Sequence, residues 1–153
     1  MQPLNHPIHR ILFIDDDEDD FLLFKESVKG IDPSITVALL EHYDQDPSKF
    51  PWLDPDLIFL DLNMPRCNGF ECLKKLKNSD LKDVPVVIFT TSRNQQHIDK
   101  AYQQGATLYL SKPFTFTDLN KAIRGVLNLD WDHPEAITSS FCSNGRYKAF
   151  PVG

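Results

Sequence analysis

The sequence predicts a doubly wound α/β fold, in which helices cover both faces of a five-stranded parallel sheet. Short apolar runs alternate with amphipathic stretches from residue 10 to residue 129, which is typical of repeated strand–helix–strand units. Proline, glycine and short polar segments separate the runs, and no internal repeat or low-complexity segment interrupts them. Because crossovers between parallel strands are right-handed, we expect helices on both faces of the sheet.

The strands are predicted from short apolar runs, and the first run leads directly into a helix. That helix has apolar residues at Phe21, Phe24 and Val28 and ends near Gly30. The five strands are expected at residues 11–14, 35–40, 57–60, 84–89 and 107–110. A polar, proline-bounded segment after the second strand gives no firm prediction.

Three further helices follow from apolar spacing and capping signals. Phe70, Leu73 and Leu76 mark one helix, and the next one, with apolar residues Ile98, Ala101 and Tyr102, is expected to end at Gly105. The last helix has the clearest start signals: Thr115 as N-cap, Asp118 as the third helical residue, and Phe114 packing against Leu119.

Length and charge restrict the class of protein. The 153 residues correspond to one domain with an appendage, and three cysteines without a CxxC motif disfavour a zinc or disulfide framework. Six acidic residues in a row, at 15–20, account for the net charge of −6, and no basic patch favours direct nucleic-acid binding. Without a long apolar run or a secretory signal, we expect a cytoplasmic protein that does not enter a membrane.

Polar residues directly follow four of the predicted strands. Ligands of open α/β sheets bind at the carboxyl ends of the strands, so these residues are the candidate functional site. They are Asp15, Asp16 and Asp17 after the first strand, Asp61 after the third, Thr90, Thr91 and Ser92 at the fourth, and Ser111, Lys112 and Pro113 at the fifth.

These residue types together favour phosphoryl transfer. Clustered carboxylates repel one another unless a cation intervenes, and an oxygen-only cluster suits magnesium. Asp15 and Asp16 are the candidate metal ligands, and Asp61 is the candidate nucleophile. Thr90 and Lys112 are expected to bind phosphoryl oxygens. For Asp19 and Asp20 we expect only a stabilising effect on the N-terminus of the first helix.

At these positions the sequence resembles the receiver domain of bacterial two-component response regulators. The resemblance covers residues 10 to 129, and four segments match in order and spacing. They are ILFIDDDEDD (11–20), LIFLDLNMPRCNGFE (57–71), VPVVIFTTS (84–92) and GATLYLSKPF (105–114). The resemblance implies a flavodoxin-like sheet of order 2-1-3-4-5. It also implies that Asp61 accepts a phosphoryl group from a phosphohistidine on a sensor histidine kinase or a phosphotransfer domain.

The resemblance further implies a metal site and a contact for the transferred group. Magnesium, with manganese as an alternative, would be bound by Asp16 and Asp61, by Asp15 largely through water, and by the backbone carbonyl of Asn63. Lys112 would contact the phosphoryl group, and the peptide bond between Lys112 and Pro113 would be cis.

The same resemblance implies a switch and positions that tune its rate. Thr90 would move toward the phosphoryl group, and Tyr109 would turn inward, which would alter a surface formed by the fifth strand and the helices on either side of it. Asn63 and Ser92 occupy positions where the family varies its dephosphorylation rate. Thr91 stands where the family usually has a smaller residue, so we expect it to narrow access to Asp61.

The predicted receiver spans residues 1–130, and residues 131–153 form a C-terminal extension too short for an effector domain. We therefore expect a stand-alone receiver that catalyses only its own phosphorylation and dephosphorylation and signals by binding an unidentified downstream protein. The extension contains four aromatic residues, so it is expected to pack on its own domain or on a neighbour. A second copy of the chain is a candidate partner.

Three other functions are compatible with an α/β fold of this kind, and the sequence favours each of them less. A phosphohydrolase resembling the haloacid dehalogenases would carry a second aspartate two residues after its nucleophile, where Asn63 stands here. A flavin-binding protein would present glycine and hydroxyl donors after the first strand, whereas this chain presents carboxylates. A pseudo-receiver that keeps the fold without phosphorylation is the third alternative, and chemistry at Asp61 distinguishes it from a functional receiver.

Overall fold

The computed structural model describes residues 8–41, 54–64 and 68–151, and its centre is a parallel sheet of five strands. The strands are β1 (Arg10–Ile14), β2 (Thr36–Leu40), β3 (Leu57–Leu60), β4 (Val86–Thr90) and β5 (Leu108–Ser111). Their order is β2-β1-β3-β4-β5, and every neighbouring pair is parallel. The predicted fold class and strand order are confirmed.

Helices cover both faces of this sheet. In chain order they are α1 (Glu18–Ile31), α2 (Gly69–Lys77), α3 (Gln95–Gln103), α4 (Phe116–Leu127) and α5 (Pro134–Ser140). Helices α1, α4 and α5 pack on one face and α2 and α3 on the other, so the core has two layers. Alternate strand residues supply the two layers, as expected for a buried parallel sheet. The segment without a firm prediction lies mostly outside the described residues.

The start of α4 follows the prediction in part. The Thr115 hydroxyl accepts a hydrogen bond from the backbone N–H of Asp118 at 3.1 Å, which confirms the N-cap. The expected packing of Phe114 against Leu119 is wrong, because Phe114 is 90% exposed. Its ring instead lies 5.2 Å from the guanidinium carbon of Arg93, in a cation–π contact across the neighbouring loop.

The C-terminal extension is folded, although its sequence shows no periodicity. After α5 the chain forms a two-stranded hairpin of β6 (Cys142–Ser143) and β7 (Arg146–Tyr147). Asn144 and Gly145 make the turn with positive φ angles of 54° and 75°, as the tight hairpin turns require. Trp131 and Ile137 are buried in the core layer beneath α4, so the first half of the extension is part of the domain core.

No helix within residues 8–41, 54–64 and 68–151 is both long enough and apolar enough to cross a membrane.

Candidate functional site

The carboxyl ends of four strands bring the predicted polar residues to one edge of the sheet. Asp15 and Asp61 follow neighbouring strands, and the backbone N–H of Asp61 donates to the carbonyl of Ile14 at 3.0 Å. Thr90 ends β4, and the backbone N–H of Lys112 donates to the Thr90 carbonyl at 2.7 Å. The sheet therefore fixes the backbones from which the acidic side chains and the lysine extend.

The loop after β3 is held close to the start of α2. A Cβ atom on Gly69 would overlap the Cα of Leu62 and would lie 2.6 Å from the carbonyl oxygen of Asp61, so only glycine fits there. The backbone N–H of Gly69 also donates to the Leu62 carbonyl at 3.2 Å. This close approach fixes the backbone at Asp61.

Lys112 is the central cation of the site. Its Nζ lies 2.8 Å from Asp15 Oδ2, 3.2 Å from Asp61 Oδ2 and 2.6 Å from Asp20 Oδ2. The lysine side chain is 10% exposed, and that of Asp15 is fully buried. One ammonium group is thus shared by three carboxylates in a site largely withdrawn from water, where charge interactions are stronger than at the surface.

This crowding of charge changes two pKa values. Burial raises the pKa of Asp15 to about 6, although hydrogen bonding and attraction to Lys112 act to lower it. Burial alone would lower the pKa of Lys112, but the carboxylates of Asp61, Asp15 and Asp20 together raise it above its ordinary value. Lys112 is therefore protonated at neutral pH, whereas Asp15 carries a charge that its surroundings disfavour.

Three carboxylates lie close enough together to share one metal ion. Oxygen atoms of Asp15, Asp16 and Asp61 all lie within 4.8 Å of one another. An oxygen-only donor set suits a hard divalent cation, and the positive charge of such an ion would favour the ionised form of Asp15, which burial disfavours. The chemistry of the donors therefore fits a divalent-metal site.

Asn63 connects the acidic cluster to the hydroxyl groups at the end of β4. Its backbone N–H donates to Asp61 Oδ1 at 3.1 Å, and its side-chain amide donates to Thr90 Oγ1 at 3.1 Å and Thr91 Oγ1 at 3.3 Å. Ser92 Oγ is instead hydrogen-bonded to His97 Nδ1 at 2.6 Å. Asn63 thus links Thr90 and Thr91 to Asp61, whereas the Ser92 side chain points to α3.

Tyr109 points into the protein in this structure. The residue is fully buried, and its hydroxyl donates to the backbone carbonyl of Ser92 at 2.9 Å. Burial raises its pKa above the ordinary tyrosine value, so the phenol is neutral and able to donate.

Two features of the site differ from the sequence predictions. No peptide bond in the described ranges is cis, so the expected cis bond between Lys112 and Pro113 is wrong; the lysine reaches Asp61 with a trans bond. Asp20 was expected to act only on the helix N-terminus, but it makes the shortest ion pair with Lys112. Side chains in the first turn of a helix tilt toward its N-terminus, so the position of Asp20 in the first turn of α1 indicated that its carboxylate could reach the site.

The mouth of the site is bordered by apolar side chains. Within the part of the chain that the structure describes, the exposed large hydrophobic residues lie in α1, in the loop after β5 and at the first residue of α4: Leu22, Leu23, Phe114 and Phe116. Leu23, Phe114 and Phe116 line a shallow pocket together with Asp20 and Lys112. An apolar border around a charged site is typical of a surface that binds another protein.

Sequence comparisons relate this chain to known proteins. A family model for the response regulator receiver domain matches residues 11–124. Response regulator Rcp1 from Synechocystis sp. is 33% identical over 140 residues, which cover 82% of this chain and 91% of Rcp1. The nitrate/nitrite response regulator protein NarL from Escherichia coli is 36% identical over 132 residues, covering 84% of this chain and 61% of NarL.

Solved structures give the same relationship. The crystal structure of the Mn²⁺-bound form of Rcp1 superposes with a TM-score of 0.66 at 31% identity, covering 77% of this chain and 91% of that one. The structure of the phosphorylated cyanobacterial phytochrome response regulator RcpA has a TM-score of 0.68 at 27% identity, covering 80% of this chain and 91% of RcpA. The similarity thus extends over most of each compared chain.

Proposed function

Since this chain belongs to the response regulator receiver family, we propose that it is a phosphorylation-controlled signalling protein in which Asp61 accepts the phosphoryl group. Receiver domains of this family interact with histidine kinases or phosphotransfer domains, and we propose a phosphohistidine on such a protein as the donor. The observation that carries the proposal is the arrangement around Asp61 of a protonated lysine, of carboxylates close enough together to hold a metal ion, and of a buried threonine that Asn63 links to it.

In the proposed reaction a carboxylate oxygen of Asp61 attacks the phosphorus of the donor. A bond forms between phosphorus and this oxygen, the P–N bond of the phosphohistidine breaks, and the imidazole nitrogen keeps the electron pair and takes up a proton. Lys112, 3.2 Å from Asp61, neutralises charge on the transferred oxygens. In dephosphorylation the oxygen of a water molecule attacks the phosphorus, the bond between phosphorus and the Asp61 oxygen breaks, and the products are the free Asp61 carboxylate and inorganic phosphate.

We propose Mg²⁺ as the divalent ion, with Mn²⁺ as an alternative. Asp15, Asp16, Asp61 and the backbone carbonyl of Asn63 would hold it, and when bound it supplies positive charge that offsets the charge of the phosphoryl oxygens. The Mn²⁺-bound form of Rcp1 supports a divalent ion in a relative of this chain.

The apolar border of the site supports a protein as the phosphoryl donor. Leu23 is about half exposed, and Phe114 is almost fully exposed, and both line a pocket that includes Lys112. A small phosphorylated metabolite is too small to cover these apolar side chains, whereas a donor protein that presents a phosphohistidine would bury them. We propose that this border is where the donor docks.

Output is proposed to follow from the pair Thr90 and Tyr109. The Thr90 hydroxyl is held by Asn63 next to Asp61, and Tyr109 is held through the Ser92 carbonyl. A phosphoryl group on Asp61 would compete for the Thr90 hydroxyl, and the Tyr109 ring, which already points inward, would shift into the space that Thr90 leaves, changing the affinity of the β5 region for a downstream protein. Asn63, Thr91 and Ser92 are proposed to set the rate of phosphoryl gain and loss.

Intact mass after incubation with acetyl phosphate and MgCl₂ tests the proposed function. We expect wild type to gain one phosphoryl group only when Mg²⁺ is present, and Asp61→Asn to gain none. Asp19→Asn is the matched control, because Asp19 is an exposed carboxylate of the same acidic run outside the metal cluster, and we expect it to behave as wild type. An adduct of equal extent on Asp61→Asn would contradict the proposal. So would an unmodified wild type after treatment with both acetyl phosphate and phosphorylated histidine kinases.

A further inference from the structure

The last part of the C-terminal extension lies across three elements next to the phosphorylation site. We refer to residues 141–150 as the C-terminal cover. The side-chain amide of Gln95, in α3, donates to the Tyr147 carbonyl at 2.9 Å. The Phe150 backbone N–H donates to the carbonyl of Tyr109, in β5, at 2.7 Å. The cover is therefore bound to both α3 and β5 through its own backbone.

Side chains of the cover also pack on α3 and α4. The rings of Tyr147 and Tyr102 stack at a centroid distance of 4.8 Å with an interplanar angle of 9°. The Phe150 ring lies so close to Gly125, in α4, that a Cβ atom built there would be 2.8 Å from its Cζ. Gly125 thus provides the space that the ring occupies, and the contacts reach α3, β5 and α4.

The cover also completes the outer edge of the sheet. β5 is the last strand in the order, so the backbone groups of Tyr109 that point away from β4 have no strand to bind. The Tyr109 N–H donates to the Tyr102 hydroxyl at 3.1 Å, and that hydroxyl donates to the Lys148 carbonyl at 2.8 Å. With the Phe150 bond, both backbone groups of Tyr109 are linked to the cover.

Tyr109 therefore lies between the cover and the site. Its hydroxyl donates to the Ser92 carbonyl, one residue beyond Thr91, whose hydroxyl shares the Asn63 amide with Thr90. A change at Thr90 that displaces the backbone of Tyr109 would also shift the two groups on which the cover is seated. Such a shared element allows two sites to affect each other, because each one biases its position.

We propose that the C-terminal cover is an intramolecular ligand of the face formed by α3, β5 and α4, and that phosphorylation releases it and exposes this face. The seating of the cover is independent of the proposed function, whereas its release rests on phosphorylation of Asp61. Because the coupling is reciprocal, a protein whose cover is already loosened should be phosphorylated to a greater extent at the same acetyl phosphate concentration.

Residue-resolved amide exchange, measured by NMR on the whole chain, tests the seating. In the unphosphorylated protein we expect the amides of Phe150 and Tyr109 to be protected. Gly125→Ala should displace the Phe150 ring, and Tyr147→Ala should remove the ring stack. Each is expected to speed exchange at Phe150 at least about tenfold, while amides of β1 and β3 stay protected and show that the domain is folded.

Two controls match these variants. Gly30→Ala places the same methyl group on a helical glycine that has nothing within 4 Å, and Lys148→Ala removes an exposed side chain of the cover while keeping its carbonyl. Both should exchange at Phe150 within about twofold of wild type. An unprotected Phe150 amide in wild type would overturn the seating. If protection of the Phe150 amide disappears on dilution and light scattering shows a dimer at the higher concentration, the contacts belong to a second copy of the chain. That result would also overturn the intramolecular seating.

The release is tested on the same amides after treatment with acetyl phosphate and Mg²⁺, with intact mass recorded on the same sample. We expect exchange at Phe150 to rise at least about tenfold in the phosphorylated protein, and Gly125→Ala to hold a larger phosphorylated fraction than Gly30→Ala. Full phosphorylation by mass with unchanged protection would overturn the release alone. Absence of any adduct would refute the proposed function and the release together, and it would leave the seating as measured.

Discussion

The acidic site and the C-terminal extension are stabilised by different kinds of interaction. At the acidic site one buried ammonium group is shared by Asp15, Asp20 and Asp61, and the pKa of Asp15 is raised because its charge is poorly solvated. The extension is held by apolar burial at Trp131 and Ile137 and by stacked rings and backbone hydrogen bonds farther on. One region is thus arranged for chemistry at a cost in stability, and the other contributes stability without taking part in the chemistry.

The two halves of the extension also differ from each other in burial. Trp131 and Ile137 belong to the main core, whereas residues 141–150 lie on the outer edge of the sheet, mostly half-buried or exposed. We therefore expect the first half to respond to mutation as a core element and the second half as a removable surface segment.

The largest effect is expected for Trp131→Ala. The side chain is 5% exposed, and its Nε1–H donates to the Val126 carbonyl at 2.8 Å, so truncation leaves a cavity and removes one of the hydrogen bonds that this carbonyl accepts. We expect the free energy of unfolding in urea to fall by about 3–5 kcal/mol. His133→Ala, an exposed change in the same extension, should alter it by less than about 0.5 kcal/mol. Equal effects of the two changes on the free energy of unfolding would contradict the assignment of Trp131 to the domain core.

Lys112→Ala is expected to act on the chemistry rather than on the fold. Without the ammonium group, charge on the transferred oxygens is not neutralised at this position, and the phosphorylation rate with acetyl phosphate should fall about a hundredfold. Mg²⁺ affinity should persist, because the three carboxylates of the cluster remain. Lys121→Ala, at an exposed position of α4, is the control. A variant that loses Mg²⁺ binding but keeps its rate would contradict the assigned role of Lys112.

Asp15→Asn is expected to stabilise the metal-free protein. The folded-state pKa of about 6 lies above the ordinary value of 3.8, so the folded state binds more protons than the unfolded state between these values. Stability contributed by this group is therefore present below about pH 4 and is lost as the pH rises to about 6. At pH 7.5 with EDTA we expect the variant to gain about 1–3 kcal/mol over wild type, and at pH 4 much less. Urea unfolding at the two pH values measures this difference, and a gain that is larger at pH 4 would contradict it.

Asp20→Asn is expected to have the smallest effect. Asp20 is about one-third exposed and competes with Asp61 for Lys112, so its neutralisation should leave the lysine freer to bind an anionic donor. We expect the rate with acetyl phosphate to rise about two- to fivefold, through a lower KM, with Asp19→Asn unchanged. A slower Asp20→Asn variant would show that Asp20 positions Lys112 productively instead of competing for it.

The sequence predicted the sheet and the placement of Asp15, Asp61, Thr90 and Lys112, because parallel strands deliver their carboxyl ends to one edge. It did not predict the ion pair of Asp20, which depends on how far the Lys112 side chain reaches across the site. The contact of Phe114 was not predicted either, because local helix signals favoured packing against Leu119, whereas the ring contacts Arg93 from a loop distant in the sequence.

The extension was harder to predict for a physical reason. Asn144 and Gly145 carry a hairpin turn signal, but the two strands beside them have only two residues each, too few for an alternating pattern. The seating of Phe150 depends on the space at Gly125 and on the unpaired edge of β5, which are properties of distant parts of the chain. Non-local packing of this kind leaves no periodic pattern in the sequence.

The assignment of Asp61 as phosphoacceptor is tested most directly by identifying the modified residue. After phosphorylation with acetyl phosphate and Mg²⁺, borohydride reduces the acyl phosphate of an aspartate to an alcohol, which converts that residue to homoserine, and peptide mass spectrometry then locates it. We predict homoserine at position 61 in wild type and at no other position. Homoserine at position 15, 16 or 20 with Asp61 intact would contradict the account, because it would place the nucleophile after β1 or in α1 instead of after β3.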